Sequence, residues 1–294
     1  MNDVLSDSTI SRIIQEAILE DIGMGDITTE MIVPHEILGS AEVVVKESGV
    51  IAGLEVAALV FQFVDPELTM KPLIAEGSWV EGATDIAIVD GPLASILKGE
   101  RTALNFLQRM SGIATLTRKF VDTVKGTKAR ITDTRKTAPA LRIIDKLAVR
   151  IGGGVNHRFG LDDMVLIKDN HIAAAGGIGN AIERCLAQLG ERKSKLKVEV
   201  EAKTLDEVSI AAKYVGIFRI MLDNFSIPDI SKAVRMINSS VEVEASGNVS
   251  LMNVRAIAET GVDYISIGAL THSPKALDIS LEVATSLSRQ SNRA

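Results

Sequence analysis

The sequence predicts an α/β protein whose chain from residue 128 onward folds as a (β/α) barrel, complete or incomplete. Strand-like runs end at Arg135, Lys168, Glu201, Asp223, Ser246 and Gly268, and a helical stretch follows each. These ends lie 33, 33, 22, 23 and 22 residues apart, the spacing of a strand plus its crossover helix. Every run finishes on a polar residue or glycine, and the carboxyl ends of barrel strands are where sites are built. The pentapeptide VEVEA occurs at both 198–202 and 241–245. Composition agrees: 46 % of residues are hydrophobic and only 3 % aromatic, which suits aliphatic helices packed on a parallel sheet.

The chain divides near residue 112, giving domains at 1–112 and 113–274. In the first, Ser8 or Thr9 caps a helix at about 10–20, with Ile10, Ile13, Ile14, Ala17 and Ile18 on one face. Asp21–Thr29 reads as a Gly/Asp loop. Strand-like runs at 40–47 and 50–53 flank Ser48-Gly49, a helix follows at 54–63, and strands lie near 69–74 and 84–89. The segment 92–122 is helical with one glycine break and leads into the second half. Cys185 falls within a helical pattern, has no disulfide partner in the chain, and reads as a small core residue.

Residues 131–172 carry the strongest functional signal. Between 125 and 158 there are nine Lys/Arg against Asp133 and Asp145, in a chain of net charge −6. A positive focus on strand ends and loops suits a compact anion with several negative groups. Nucleic acid fits poorly, because a chain of pI 5.4 has no broad basic face. Alternation places Glu199 and Glu201 on the inner side of their strand, with Glu201 nearer the mouth and Glu199 deeper and structural. The same parity turns Asp133 with Arg135, Leu166 with Lys168, and Arg219 with Met221 and Asp223 inward. Arg135, Lys168, Glu201 and Asp223 then form a ring at one level. The bland account of that ring is a buried ion-pair network that only satisfies itself.

His157 and Arg158 follow three glycines, where backbone can approach a ligand closely, and with Arg135 they offer cationic forks for two carboxylates. Gly152 also serves as a left-handed helix cap on the plain reading. Ser246-Gly247-Asn248 and Gly268-Ala269 end the last two strands, each before an expected helix start whose N–H groups can take a phosphate. No His/Cys motif offers a transition-metal site, and acids at the mouth suit Mg²⁺ held through water and substrate phosphates. The polar amino terminus and the lack of a spanning apolar run give a cytoplasmic expectation with no membrane contact.

The segments GERTALNFLQRMSGIAT, DTRKTAPALR, AVRIGGGVNHRFGL, MVLIKDNHI, VEVEA, MLDNFS, EASGN and SIGALTHS occur in this order. Together they resemble the quinolinate phosphoribosyltransferase family, and the resemblance runs from about residue 19 to 282. It implies an N-terminal α/β sandwich domain beside an incomplete (β/α) barrel, with residues 275–294 packing back onto the first domain. It also implies transfer of phosphoribosyl from phosphoribosyl pyrophosphate (PRPP) to quinolinate with decarboxylation, with Mg²⁺, in a homodimer or homohexamer with shared active sites. The implied quinolinate contacts are Arg135, His157, Arg158 and Lys168, with Arg101 reaching in from the partner chain. The implied PRPP contacts are Lys136, Lys168, Glu201, Asp223, Ser246, Gly247, Asn248, Ile267, Gly268 and Ala269, and Thr134 is a further substrate-binding residue. Among these Lys136, Lys168, Glu201 and Asp223 carry the catalysis. Ala138 and Ala140 stand where the family often has Thr and Gly.

Three other functions compete. A transferase acting on nicotinate needs fewer cations, since one carboxylate replaces two. A Schiff-base aldolase could use Lys168, but the surrounding acids keep that amine charged. A non-catalytic relative would keep the fold as an anion-binding protein without needing the full set of Arg, Lys and acids.

Overall fold

Two kinds of strand pairing divide the chain. The computed structural model describes residues 8–189 and 196–283. They fall into one unit made of residues up to Leu116, Ala138–Gly152 and from Ser273, and a second made of Thr117–Thr137 and Gly153–His272.

The first unit is antiparallel. Strands β1 (Leu38–Val45), β3 (Thr69–Pro72), β5 (Thr84–Pro92) and β12 (Ile279–Val283) form a sheet in the order β12-β1-β5-β3, and β2 (Gly49–Val50) pairs with β4 (Trp79–Val80). On β1, Ala41, Val43, Val44 and Val45 are buried, and helices Ser8–Ile22 and Leu54–Val64 add Ile10, Ile14, Val60 and Phe61 to the core. Strand β12 runs along β1 with Val283 opposite Ala41, so residues beyond 274 return to this unit; 284–294 lie outside the described residues.

Three local expectations change here. Within the expected 21–29 loop a short helix, Ile27–Ile32, begins because the Asp26 carboxylate accepts the N–H of Thr29. The helix Leu93–Thr123 has no glycine break. Gly112 and Gly99 are there for close packing: a Cβ at Gly112 would lie 2.1 Å from the Lys275 carbonyl oxygen, and one at Gly99 2.9 Å from the Phe61 ring. Finally, helix Arg142–Ile151 belongs to the first unit and not to the barrel. Asp145 anchors it by accepting two hydrogen bonds from Arg109, both 2.8 Å, and one from the Ala138 N–H. Arg142, Lys146 and Arg150 all lie on this helix.

The second unit is parallel. Strands β6 (Arg130–Thr132), β7 (Val165–Ile167), β8 (Val198–Ala202), β9 (Arg219–Asp223), β10 (Glu242–Ser246) and β11 (Tyr264–Ser266) pair in the order β6-β11-β10-β9-β8-β7. The last strand, β11, returns to pair with the first, β6. The sheet stays open between β6 and β7, where a single parallel bridge joins Thr132 to Val155. The result is an incomplete barrel.

Register corrects the expected ring. Glu201 lies opposite Met221, and Met221 opposite Glu244, whereas Asp223 lies opposite Ser246 and stands two residues nearer the mouth. Strand β6 stops at Thr132, so alternation no longer governs Asp133 or Arg135. Asp133 turns instead toward the 155–157 segment, accepting hydrogen bonds from the Asn156 amide and the His157 N–H.

Candidate active site

At the carboxyl end of the barrel two cavities share walls. The smaller, about 170 Å³, holds Arg135, His157, Arg158, Lys168 and Glu201 together with Leu166 and Met221. The larger, about 470 Å³, lies over the late strand ends and takes in Asn224, Ser246 to Val249, Ile267 to Ala269 and His272. Thr134, Lys136, Asp223, Ser246 and Ser266 line both. Every barrel residue proposed from the sequence thus meets at one mouth, although the four catalytic candidates do not share a level. Arg101 is the exception: it lies in the first unit, its side chain is 57 % exposed and 4.0 Å from Glu100, and it lines neither cavity.

In the smaller cavity, Lys168 Nζ lies 3.3 Å from Glu201, an ammonium–carboxylate contact that leaves no amine poised for Schiff-base chemistry. Arg158 is buried and donates from Nη1 to the Met164 carbonyl oxygen at 3.0 Å. Burial, and then the neighbouring Arg135 cation, depress its pKa. Two guanidinium groups gathered in one cavity suit an anion with more than one negative group.

A buried ion network does surround Arg219, and its members Glu244 and His157 also line the smaller cavity. Arg219 holds Glu244 at 2.8 Å and Glu242 at 2.9 Å, and the His157 Nε2 lies 3.0 Å from Glu199 and 3.5 Å from Glu244. Both Glu199 and Glu244 are wholly buried. Three possible metal-ligand atoms meet within 4.8 Å here, yet the Arg219 cation already neutralises Glu244. Burial and the adjacent Glu244 raise Glu199 to about 7. Burial also pushes Glu244 up, but His157 and Arg219 outweigh it and hold Glu244 below the usual carboxylate range. For His157, burial opposes the charged ring while the two glutamates favour it and would carry its pKa to about 9.

His157 Nδ1 accepts the Arg158 N–H at 2.8 Å, while its Nε2 faces Glu199 and Glu244. Folded Glu199, raised to about 7, binds a proton more tightly than unfolded Glu199. Its contribution is full below pH 4.5 and is lost as pH rises through about 7. Glu199→Gln is expected to flatten the fall in melting temperature across this window and to be the more stable protein above it, by a few kcal/mol on the order set by such a shift. Melts from pH 4 to 10 decide the matter. A loss confined to the interval from 6.5 to about 9, unchanged in the variant, would assign the proton to His157 instead.

Several lining residues escaped the sequence reading. Glu244 occupies in the second VEVEA the place of Glu201 in the first, so the repeat was a usable signal for it. Asn224, Ser266 and His272 had none beyond adjacency to a named strand end. The turn Ser246–Asn248 does not open a helix, since the next begins only at Val254; helix Ala269–His272 does start directly after Gly268. Gly152 is not left-handed (φ −68°); Gly153 takes that role at φ +95°. Cys185 is half-buried, on the edge of a helix whose buried face is Ile178, Ala181, Ile182 and Leu189.

Comparison with known proteins places this geometry. Residues 26–111 match the model of the quinolinate phosphoribosyl transferase N-terminal domain, and 113–282 that of its C-terminal domain. A quinolinate phosphoribosyltransferase [decarboxylating] 2, mitochondrial, of Nicotiana glauca is 45 % identical over 299 positions, covering 97 % of this chain and 85 % of the relative. A probable nicotinate-nucleotide pyrophosphorylase [carboxylating] of Synechocystis is 46 % identical over 276 positions, covering 92 % and 91 %. The nicotinate-nucleotide pyrophosphorylase structure from Francisella tularensis superposes with TM-score 0.87 at 40 % identity over 97 % of both chains. With both domain models matched in order and identity near one half along almost its whole length, the chain belongs to the quinolinate phosphoribosyltransferase family.

Proposed function

We propose that this protein transfers the phosphoribosyl group of PRPP to quinolinate, giving nicotinate mononucleotide, CO₂ and pyrophosphate for NAD biosynthesis. The observation that carries this reading is the pair of adjoining cavities: one gathers Arg135 and Arg158, the other the polar late-strand turns, and Lys136 and Asp223 stand on their common wall. Quinolinate brings two carboxylates for the arginine forks. PRPP brings phosphates for Lys136 and the turns at Ser246–Asn248 and Ile267–Ala269. His157 supports the arginine by fixing the Arg158 backbone.

The pyridine nitrogen attacks the anomeric carbon, and the bond from that carbon to pyrophosphate breaks. Positive charge develops on the ribose, within reach of Glu201 and Asp223. The carboxylate beside the quaternised nitrogen then leaves as CO₂, its bonding electron pair remains on the ring carbon, and that carbon takes up a proton. No side-chain nucleophile is needed, so positioning and electrostatics carry the rate. Glu201 and Asp223 are two hard oxygen donors and not a closed cage, a set that fits Mg²⁺ held mainly by substrate phosphates and water. Bound there, the ion would supply charge neutralisation for the pyrophosphate.

Incubation with quinolinate, PRPP and Mg²⁺ tests the assignment, with release of CO₂ and formation of nicotinate mononucleotide as the expected products. Turnover of nicotinate in preference, without CO₂, would favour the single-carboxylate transferase. No described helix is long and apolar enough to cross a membrane, and charged substrates fit an aqueous compartment; cytoplasmic placement is part of this proposal.

Arg101 enters as a ligand for the neighbouring subunit in a homodimer or homohexamer. Exposed on the helix Leu93–Thr123, it lies on neither cavity of its own chain. Mixing inactive Arg101→Ala with inactive Lys136→Ala chains under subunit exchange is expected to restore part of the activity, because mixed dimers contain one site with both residues. Verified exchange with no recovery would return Arg101 to a solvated charge beside Glu100.

A further inference from the structure

Three adjacent residues at the larger cavity hold left-handed backbone: Asn224 at φ +58°, Gly247 at φ +95° and Asn248 at φ +50°. Glycine and asparagine tolerate this region, but clustering across two loops calls for something that over-determines it. The clasp is visible. The Asn224 N–H donates to the Ser246 carbonyl oxygen at 2.8 Å, and the Asn248 Nδ2 donates to Asn224 Oδ1 at 3.0 Å. On the far side Asn253 donates to the Asn248 carbonyl oxygen at 3.0 Å and accepts the Ser250 N–H at 2.8 Å. A Cβ on Gly247 would stand 2.2 Å from Asn224 Oδ1, so the Asn224 carboxamide occupies the place where a side chain would be. Asn224 follows directly on Asp223, itself opposite Ser246 in the strand register.

We infer that Asn224 is a positioning residue for phosphate binding: its carboxamide locks the 246–248 turn in the left-handed form that borders the larger cavity. This rests on the reading that the larger cavity takes the phosphates of PRPP. The competing account makes Asn224 a plain turn residue whose hydrogen bonds matter only for stability.

Asn224→Gly separates the two, since glycine accepts φ +58° without strain and removes only the carboxamide. Calorimetric titration of the full-length protein with PRPP and Mg²⁺ is expected to show affinity lower on the order of 10-fold, because only a fraction of the turn remains binding-competent. The KM for PRPP should rise in step, with quinolinate affinity and melting temperature little changed. Adding Asn224→Gly to Asn248→Gly should cost little more, as both remove the same hydrogen bond. Unchanged PRPP affinity in Asn224→Gly, or losses that add in full, would overturn the inference while leaving the phosphate site intact. A uniform loss for both substrates with a lowered melting temperature would also overturn it, in favour of the structural account. Absence of PRPP binding by the unaltered protein would defeat the underlying reading as well, at a stage where no variant is involved.

Discussion

Replacing Arg158 or Arg135 by alanine should weaken quinolinate binding on the order of 10- to 100-fold while leaving PRPP binding nearly unchanged. Each substitution removes one charge-assisted fork worth roughly 1.5–3 kcal/mol. The two guanidinium groups share the cavity that Leu166 and Met221 line on its apolar side, and the late-strand turns proposed for PRPP line the neighbouring one. Burial and the Arg135 charge disfavour cationic Arg158, an effect that a bound dicarboxylate offsets. Arg158→Lys is the informative control. It keeps a charge but loses the planar fork and the Nη1 bond to the Met164 carbonyl oxygen, so most of the affinity should still be lost. Calorimetry that finds wild-type quinolinate affinity in both alanine variants would remove these residues from the carboxylate site.

The arithmetic of strand ends foretold the barrel, because spacing and terminal polar residues are local properties of sequence. Closure was harder to read. That β11 returns to β6, and that the seam opens between β6 and β7, depends on shear, which no single segment encodes. Shear also separated Glu201 from Asp223: both point inward as alternation requires, yet two residues of stagger put them at different depths. Parity failed at Asp133 for a simpler reason. The strand ends at Thr132, and beyond it only tertiary partners such as Asn156 orient side chains. Helix Arg142–Ile151 shows the same limit at a larger scale. No local pattern says which unit covers it; the Arg109–Asp145 fork decides that. Asn224 was missed because its role lies in a hydrogen bond to a turn 24 residues away.

Glu201→Gln and Asp223→Asn should lower turnover on the order of 10²- to 10³-fold with little effect on melting temperature. They face charge that exists only while the ribose–pyrophosphate bond is breaking, so their value is realised in the transition state. Glu244 provides the internal comparison. It stands in the same place of the VEVEA repeat as Glu201, and Met221 lies between them in the register. Both line the smaller cavity, but Glu201 meets the half-exposed Lys168, whereas the fully buried Glu244 is held by Arg219 and His157. Neutralising Glu244 leaves the Arg219 cation short of its buried partner, a loss of about 3–5 kcal/mol in stability. Glu244→Gln is therefore expected to melt many degrees lower, and Glu201→Gln to melt near the parent while turning over slowly. Thermal melts alongside initial rates for the two variants separate the roles. Should Glu201→Gln instead melt low and keep its specific activity, Glu201 would belong with the ion network around Arg219, and the charge facing the ribose would fall to Asp223 alone.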